Sequence, residues 1–155
     1  MIRVLFVCLG NICRSPMAEG IFKKMIKDEG LEKHIIVESR ATSTWEEGNP
    51  PHPETIKILN RLGVDHSRMF STIIQKVDFD AFDYIIGMDH ENIGYLMRHA
   101  EAKSHKVHLL RDISRKTRGE IVPDPYYNGK YEETYQLLHE SLKLWLKKLK
   151  KEHLS

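Results

Sequence analysis

Residues Ile2-Arg3-Val4-Leu5-Phe6-Val7 form an apolar run broken only at Arg3, and they lead directly into Cys8. An apolar run without polar alternation reads as a strand buried on both faces. Such strands belong to parallel sheets that carry helices on each side. Downstream, Ser15 reads as an N-cap and Pro16 suits the first helical position. The chain therefore opens with a strand, a short loop and a helix. In open sheets of this kind, ligands bind beyond the carboxyl ends of the strands. The stretch Cys8-Leu9-Gly10-Asn11-Ile12-Cys13-Arg14-Ser15 falls there.

The same alternation continues along the chain. The first helix is expected to run to about Asp28, with Ile21, Phe22, Met25 and Ile26 toward the core and Gly30 as its stop. Ile35 to Glu38 reads as a second strand, and Thr44 to Pro53 as a loop containing Gly48 and three prolines. Ile56, Leu59 and Leu62 place a helix over Glu54 to Leu62, ended by Gly63. A third strand spans Tyr84 to Met88, followed by a helix from about His90 to His99. Lys106 to Leu110 is the fourth strand, and Arg111 to Lys130 a long polar loop. A last helix covers about Tyr131 to Lys150, with an apolar stripe toward the core and a solvated lysine face. The expectation is a single α/β domain over residues 1–155. Its sheet is mainly parallel, four-stranded and twisted, with helices on both faces and an anion-binding loop after the first strand.

Charge and cysteine content narrow the function. Lysine and arginine total 24 against 22 acidic residues, a net charge of +2, which gives no footprint for nucleic acid. Met1 to Val7 is too short for a signal peptide or a membrane span, so a cytoplasmic protein without membrane association is expected; export without a signal stays open. Two cysteines are too few for a secreted disulfide scaffold. The nine histidines contain no His-Glu-x-x-His and no paired Cys set, so neither metal nor other cofactor is expected.

The loop itself has the parts of a site for a phosphate-like dianion. Successive backbone N–H groups of a tight loop converge on an anion, and the following helix adds its positive end. Gly10 permits positive φ, and Asn11 tolerates it better than most residues. Arg14 supplies a planar fork for two phosphate oxygens. The same positive field favours Cys8 as a thiolate, the nucleophilic form of cysteine. Ser15 is near enough in sequence to donate a hydrogen bond to that sulfur.

A thiolate that attacks phosphorus needs a partner acid to protonate the leaving oxygen. Asp124 lies between Pro123 and Pro125, which restrict the backbone and remove two competing donors. Near a bound dianion a carboxyl group keeps its proton for donation. Tyr126 and Tyr127 follow and can wall an aromatic substrate. On residue type alone, an Asp between prolines is more often a turn former. Cys13 is either a redox partner for Cys8 or a small packing residue. Trp45 is either folded onto the core or set at a binding surface.

The run Val4-Leu5-Phe6-Val7-Cys8-Leu9-Gly10-Asn11-Ile12-Cys13-Arg14-Ser15-Pro16-Met17-Ala18-Glu19 resembles the opening of the low molecular weight protein-tyrosine-phosphatases, and Asp124-Pro125-Tyr126-Tyr127 resembles their second signature. The resemblance implies Cys8 as nucleophile, Arg14 as phosphate clamp and Asp124 as general acid and base. It implies that Asn11 and Ser15 hold the loop and stabilise the thiolate, that Cys13 can form a reversible disulfide with Cys8, and that Trp45 lines the cleft. It also places Ser39 and His66 in hydrogen bonds around the loop. Tyrosine-phosphorylated proteins are the implied partners, with phosphate and related oxyanions as inhibitors. One departure is Ser39-Arg40-Ala41 where the family often has Ser-Ala-Gly, so Arg40 either adds positive potential beside the pocket or faces solvent.

Three alternatives are weighed. Arsenate reduction on this fold requires further cysteines on a later loop, and the chain has none after Cys13. Phosphoarginine hydrolysis resembles a branch with a small polar residue after the loop asparagine, whereas Ile12 is bulky and apolar. A non-catalytic phosphotyrosine-binding module needs neither nucleophile nor acid, yet Cys8, Arg14 and Asp124 occur together.

Overall fold

In the computed structural model, which describes residues 1–154, the opening apolar run is strand β1, Ile2–Cys8. It lies inside a four-stranded sheet of order β2-β1-β3-β4, all pairs parallel, with β2 Ile35–Ala41, β3 Tyr84–Gly87 and β4 Val107–Leu109. Its lack of alternation has a direct cause. Val4, Phe6 and Cys8 enter one core with helices α1 (Arg14–Asp28) and α6 (Tyr131–His153). Leu5 and Val7 enter a second core with Phe79 of α3 (Lys76–Ala81) and with Leu96 and Ala100 of α4 (His90–Ala100). Helices therefore cover both faces, as expected. The chain leaves β1 toward β2 on one side and later returns to β3 on the other. The loop after β1 thus sits at the point where strand order switches, the place where such sheets bind ligands.

Several expected boundaries move. Helix α1 begins at Arg14 with Cys13 as N-cap, so Ser15 is not the cap and lies within the first turn. Strand β2 continues past Glu38 to Ala41, because Ser39, Arg40 and Ala41 pair in register with Phe6, Val7 and Cys8. Helix α2 spans Pro53–Arg61, one residue earlier at each end than expected. The fourth strand is trimmed to Val107–Leu109 by 3-10 turns at Glu101–Lys106 and Leu110–Ile113. Helix α3 has no counterpart in the sequence reading; it is one short turn of helix, started where Asp78 Oδ2 accepts from Gln75 N at 2.8 Å. The long polar loop holds a further 3-10 turn at Arg115–Thr117 and helix α5, Pro125–Asn128. Helix α6 runs on to His153 with Leu138, Leu142, Trp145, Leu146 and Leu149 buried, so its lysines form the solvated face. Among the described residues no helix is long and apolar enough to cross a membrane.

Candidate active site

The loop between β1 and α1 is pinned by side chains. Asn11 takes the left-handed backbone conformation, with φ 57°; Gly10 does not adopt positive φ, contrary to the expectation that its freedom was needed there. The Asn11 side chain accounts for this cost. Its Nδ2 donates to Ser15 Oγ at 2.8 Å and Ser39 Oγ at 2.9 Å, and its Oδ1 accepts from Thr72 N at 3.1 Å. Ser39 in turn donates to the buried carboxylate of Glu19 at 2.7 Å, and Ser71 donates to Gly10 O at 2.7 Å. These bonds hold an otherwise strained turn in one shape.

Within this frame the polar groups point inward. Among the described residues, the backbone N–H groups of residues 9–13 donate to no carbonyl or side chain. Helix α1 has no side-chain cap and no acidic residue in its first turn, so its positive end stays directed at the loop. Cys8 Sγ lies 3.0 Å from Ser15 Oγ and accepts from Ser15 N at 3.4 Å. Since Ser15 Oγ already accepts from Asn11, its hydroxyl proton is free to point at sulfur. Because Ser15 is not spent on capping, its hydroxyl lies against Cys8 Sγ.

Arg14 is 2% exposed. Its NH1 pairs with Asp89 at 2.6 Å and donates to Val122 O at 2.9 Å, while NH2 meets Asp124 Oδ2 only at 3.4 Å. Asp89 thus orients the guanidinium, and Asp124 is held loosely. Burial works against the charge of Arg14, but Cys8, Asp89 and Asp124 outweigh it and hold the group above its ordinary range. The buried Nε has no hydrogen-bond partner among the described residues, a donor left for an anion in the loop.

Asp124 is the N-cap of α5, where Oδ1 accepts from Tyr126 N at 3.1 Å. It caps this turn and also lines a cleft. A cleft of about 180 Å³ is lined by Cys8, Leu9, Gly10, Ile12, Cys13, Trp45, Glu46, Asp124, Tyr126 and Tyr127. Trp45 is 76% exposed at this rim, so it is a cleft wall and not a core residue. Cys13 is a buried free thiol, its Sγ 3.5 Å from Tyr131 OH; burial, opposed by that contact, pushes it up to about 12.

One expected residue, His66, lies elsewhere, and Arg40, left open by the sequence, is placed outside the cleft. His66 Nε2 pairs with Asn60 Oδ1 at 2.8 Å, and no bond joins it to the loop. The loop contacts expected of it come from Ser71 and Thr72. Arg40 faces away from the cleft, paired with Glu38 at 3.1 Å and Asp78 at 3.4 Å. Sequence reading missed Asp89, Glu19, Ser71, Thr72 and Tyr131. Asp89 carried a signal, since it precedes a helix and caps it through Asn92 N at 2.8 Å, but capping alone hid its bond to Arg14.

The family model described as low molecular weight phosphotyrosine protein phosphatase matches residues 3–155. The chain belongs to this family. It is 46% identical over 154 residues to low molecular weight protein-tyrosine-phosphatase YfkJ of Bacillus subtilis (strain 168), covering 98% of each chain. Against the crystal structure of YfkJ the TM-score is 0.94 at 45% identity, over 99% of this chain and 97% of that one. PtpA of Staphylococcus aureus (strain MRSA252), a low molecular weight protein-tyrosine-phosphatase, is 39% identical over 138 residues, 89% of this chain and 87% of its own. The crystal structure of DARP, a Drosophila arginine phosphatase, gives a TM-score of 0.87 at 33% identity, over 96% of this chain and 98% of that one. Phosphatases named for tyrosine and for arginine thus share this fold, so substrate choice has to be argued from side chains.

Proposed function

We propose that the protein hydrolyses phosphotyrosine in proteins through a cysteinyl-phosphate intermediate. The observation that carries the reading is one cleft holding Cys8, Asp124 and a loop of undonated N–H groups, walled by Trp45, Tyr126 and Tyr127. Cys8 thiolate attacks phosphorus opposite the aryl oxygen. A sulfur–phosphorus bond forms as the phosphorus–oxygen bond breaks, and the departing phenolic oxygen takes the proton of Asp124. Asp124 carboxylate then removes a proton from water, whose oxygen bonds to phosphorus as the sulfur–phosphorus bond breaks. The electron pair returns to Cys8, where Ser15 Oγ and N receive the thiolate. Arg14 and the loop amides neutralise the equatorial oxygens throughout.

The apolar Ile12 and the aromatic walls suit a flat phenyl ring. Ile12 is buried to 8% exposure and lines the cleft beside the aromatic side chains. Phosphotyrosine, phosphoserine and phosphoarginine peptides, with arsenate as an added substrate, are assayed on wild type and Cys8→Ser. Phosphotyrosine turnover that disappears in the variant is expected. Preference for phosphoarginine, or substantial turnover by Cys8→Ser, overturns the proposal.

A further inference from the structure

Among the described residues the cleft lining contains two carboxylates, Glu46 and Asp124, and no lysine, arginine or histidine. Arg14 lies beneath it, already engaged with Asp89 and Val122. A second carboxylate at the mouth of a dianion site opposes phosphate entry unless the substrate brings positive charge with it. Other partly buried or buried acids in this chain have cationic partners: Glu19 with Lys23, Asp78 with Arg40, Asp89 with Arg14. Glu46 has none. Asn49 Nδ2 donates to its Oε2 at 2.7 Å, and Oε1 makes no hydrogen bond among the described residues.

Glu46 is also held in place. A Cβ at Gly10 would lie 3.6 Å from Glu46 Cγ, so its stem packs over the phosphate-binding loop. The turn that carries it is tied at one end by Ser43 N and Oγ to Leu9 O, and at the other by Gly48 N to Ser71 O. Its neighbour Trp45 and the facing Tyr127 are 76% and 72% exposed, a rim along which an extended peptide can lie.

We propose that Glu46 makes the site selective for phosphotyrosine flanked by lysine or arginine, and against acidic flanks. This rests on the phosphotyrosine reading above. An exposed charge contact changes affinity roughly two- to fivefold, so lysine-flanked over glutamate-flanked peptides should differ by about 4- to 25-fold.

The test is kcat/KM on phosphotyrosine peptides that differ only in carrying lysine, alanine or glutamate pairs before or after the phosphotyrosine. Wild type, Glu46→Gln, Glu46→Lys and Glu47→Gln are compared at low and high salt. Wild type should favour lysine flanks, and salt should shrink the preference. Glu46→Gln should bring the ratio toward one, Glu46→Lys should invert it, and Glu47→Gln, outside the cleft lining, should keep it. Inorganic phosphate should inhibit both Glu46 variants more strongly than wild type. No flank preference in wild type, or one that survives Glu46→Lys, overturns the role of Glu46. Failure to hydrolyse any of the peptides overturns the phosphotyrosine reading instead.

Discussion

Replacing Ser15 by alanine removes one hydroxyl that is fully buried and has a defined direction. Its oxygen accepts from Asn11 Nδ2 at 2.8 Å, which leaves its proton for Cys8 Sγ at 3.0 Å; Arg40 O, at 3.5 Å, is a poorer acceptor. A hydrogen bond to a charged group contributes about 1.5–3 kcal/mol. At about 1.4 kcal/mol per tenfold in rate, its loss corresponds to roughly 10- to 150-fold. In the proposed mechanism the bond acts on the thiolate, which is consumed when phosphorus is attacked and regenerated when the intermediate breaks down. The cost therefore falls on the second step. Stopped-flow with p-nitrophenyl phosphate, whose leaving group departs readily, separates the two. Ser15→Ala should release a burst of nitrophenolate approaching one per enzyme, followed by a slow steady state reduced about 10- to 150-fold. Asn11 keeps Ser39 as a partner, so the loop should stay folded. An unchanged kcat, or a reduced kcat without a burst, would refute this reasoning.

Asp124→Ala should slow poor leaving groups such as phenyl phosphate far more than activated aryl phosphates; an equal loss across a leaving-group series would remove Asp124 from the acid role. Asp89→Asn should retain the α4 cap but turn a 2.6 Å ion pair into a neutral contact, lowering kcat/KM about 10- to 100-fold and weakening phosphate inhibition. Ile12→Thr should raise the ratio of phosphoarginine to phosphotyrosine hydrolysis, read from parallel peptide assays. Burial lowers the pKa of His108, and burial with Lys143 nearby lowers that of His139, both from the ordinary 6.5. The unfolded chain then binds protons more readily than the folded one below about pH 6.5, so stability should rise with pH through that range and fall on acidification. Urea denaturation between pH 5 and pH 8 checks this, and His108→Asn should flatten part of the decline.

The loop after β1 was legible as a candidate site because its evidence is local: an apolar strand, Cys8, Arg14 and a helix start all fall within a few residues. Asp124 was legible only with a second signature, since Asp between prolines also caps a turn, and in the structure it caps α5 and lines the cleft. Asp89 and Glu19 were not legible. Their partners Arg14 and Ser39 lie far along the chain, and only the parallel register of β1, β2 and β3 brings them together. Ser15 illustrates a local rule overridden by the site, since a strong N-cap residue turns its hydroxyl to sulfur and leaves the cap to Cys13. Helix α3 escaped periodicity because a six-residue helix has too few turns to show one. His66 was misplaced because the family resemblance alone put it beside the loop, while its ring binds Asn60 on the end of α2.

Covalent catalysis at Cys8 is the central claim, and trapping the intermediate tests it most directly. Wild-type protein is mixed with an activated aryl phosphate, quenched within milliseconds, digested and mapped by mass spectrometry. A phosphoryl group on Cys8, formed as fast as the phenol is released, is the predicted result. Phenol release with no protein adduct, or an adduct on Ser15 or Cys13 in place of Cys8, would contradict it.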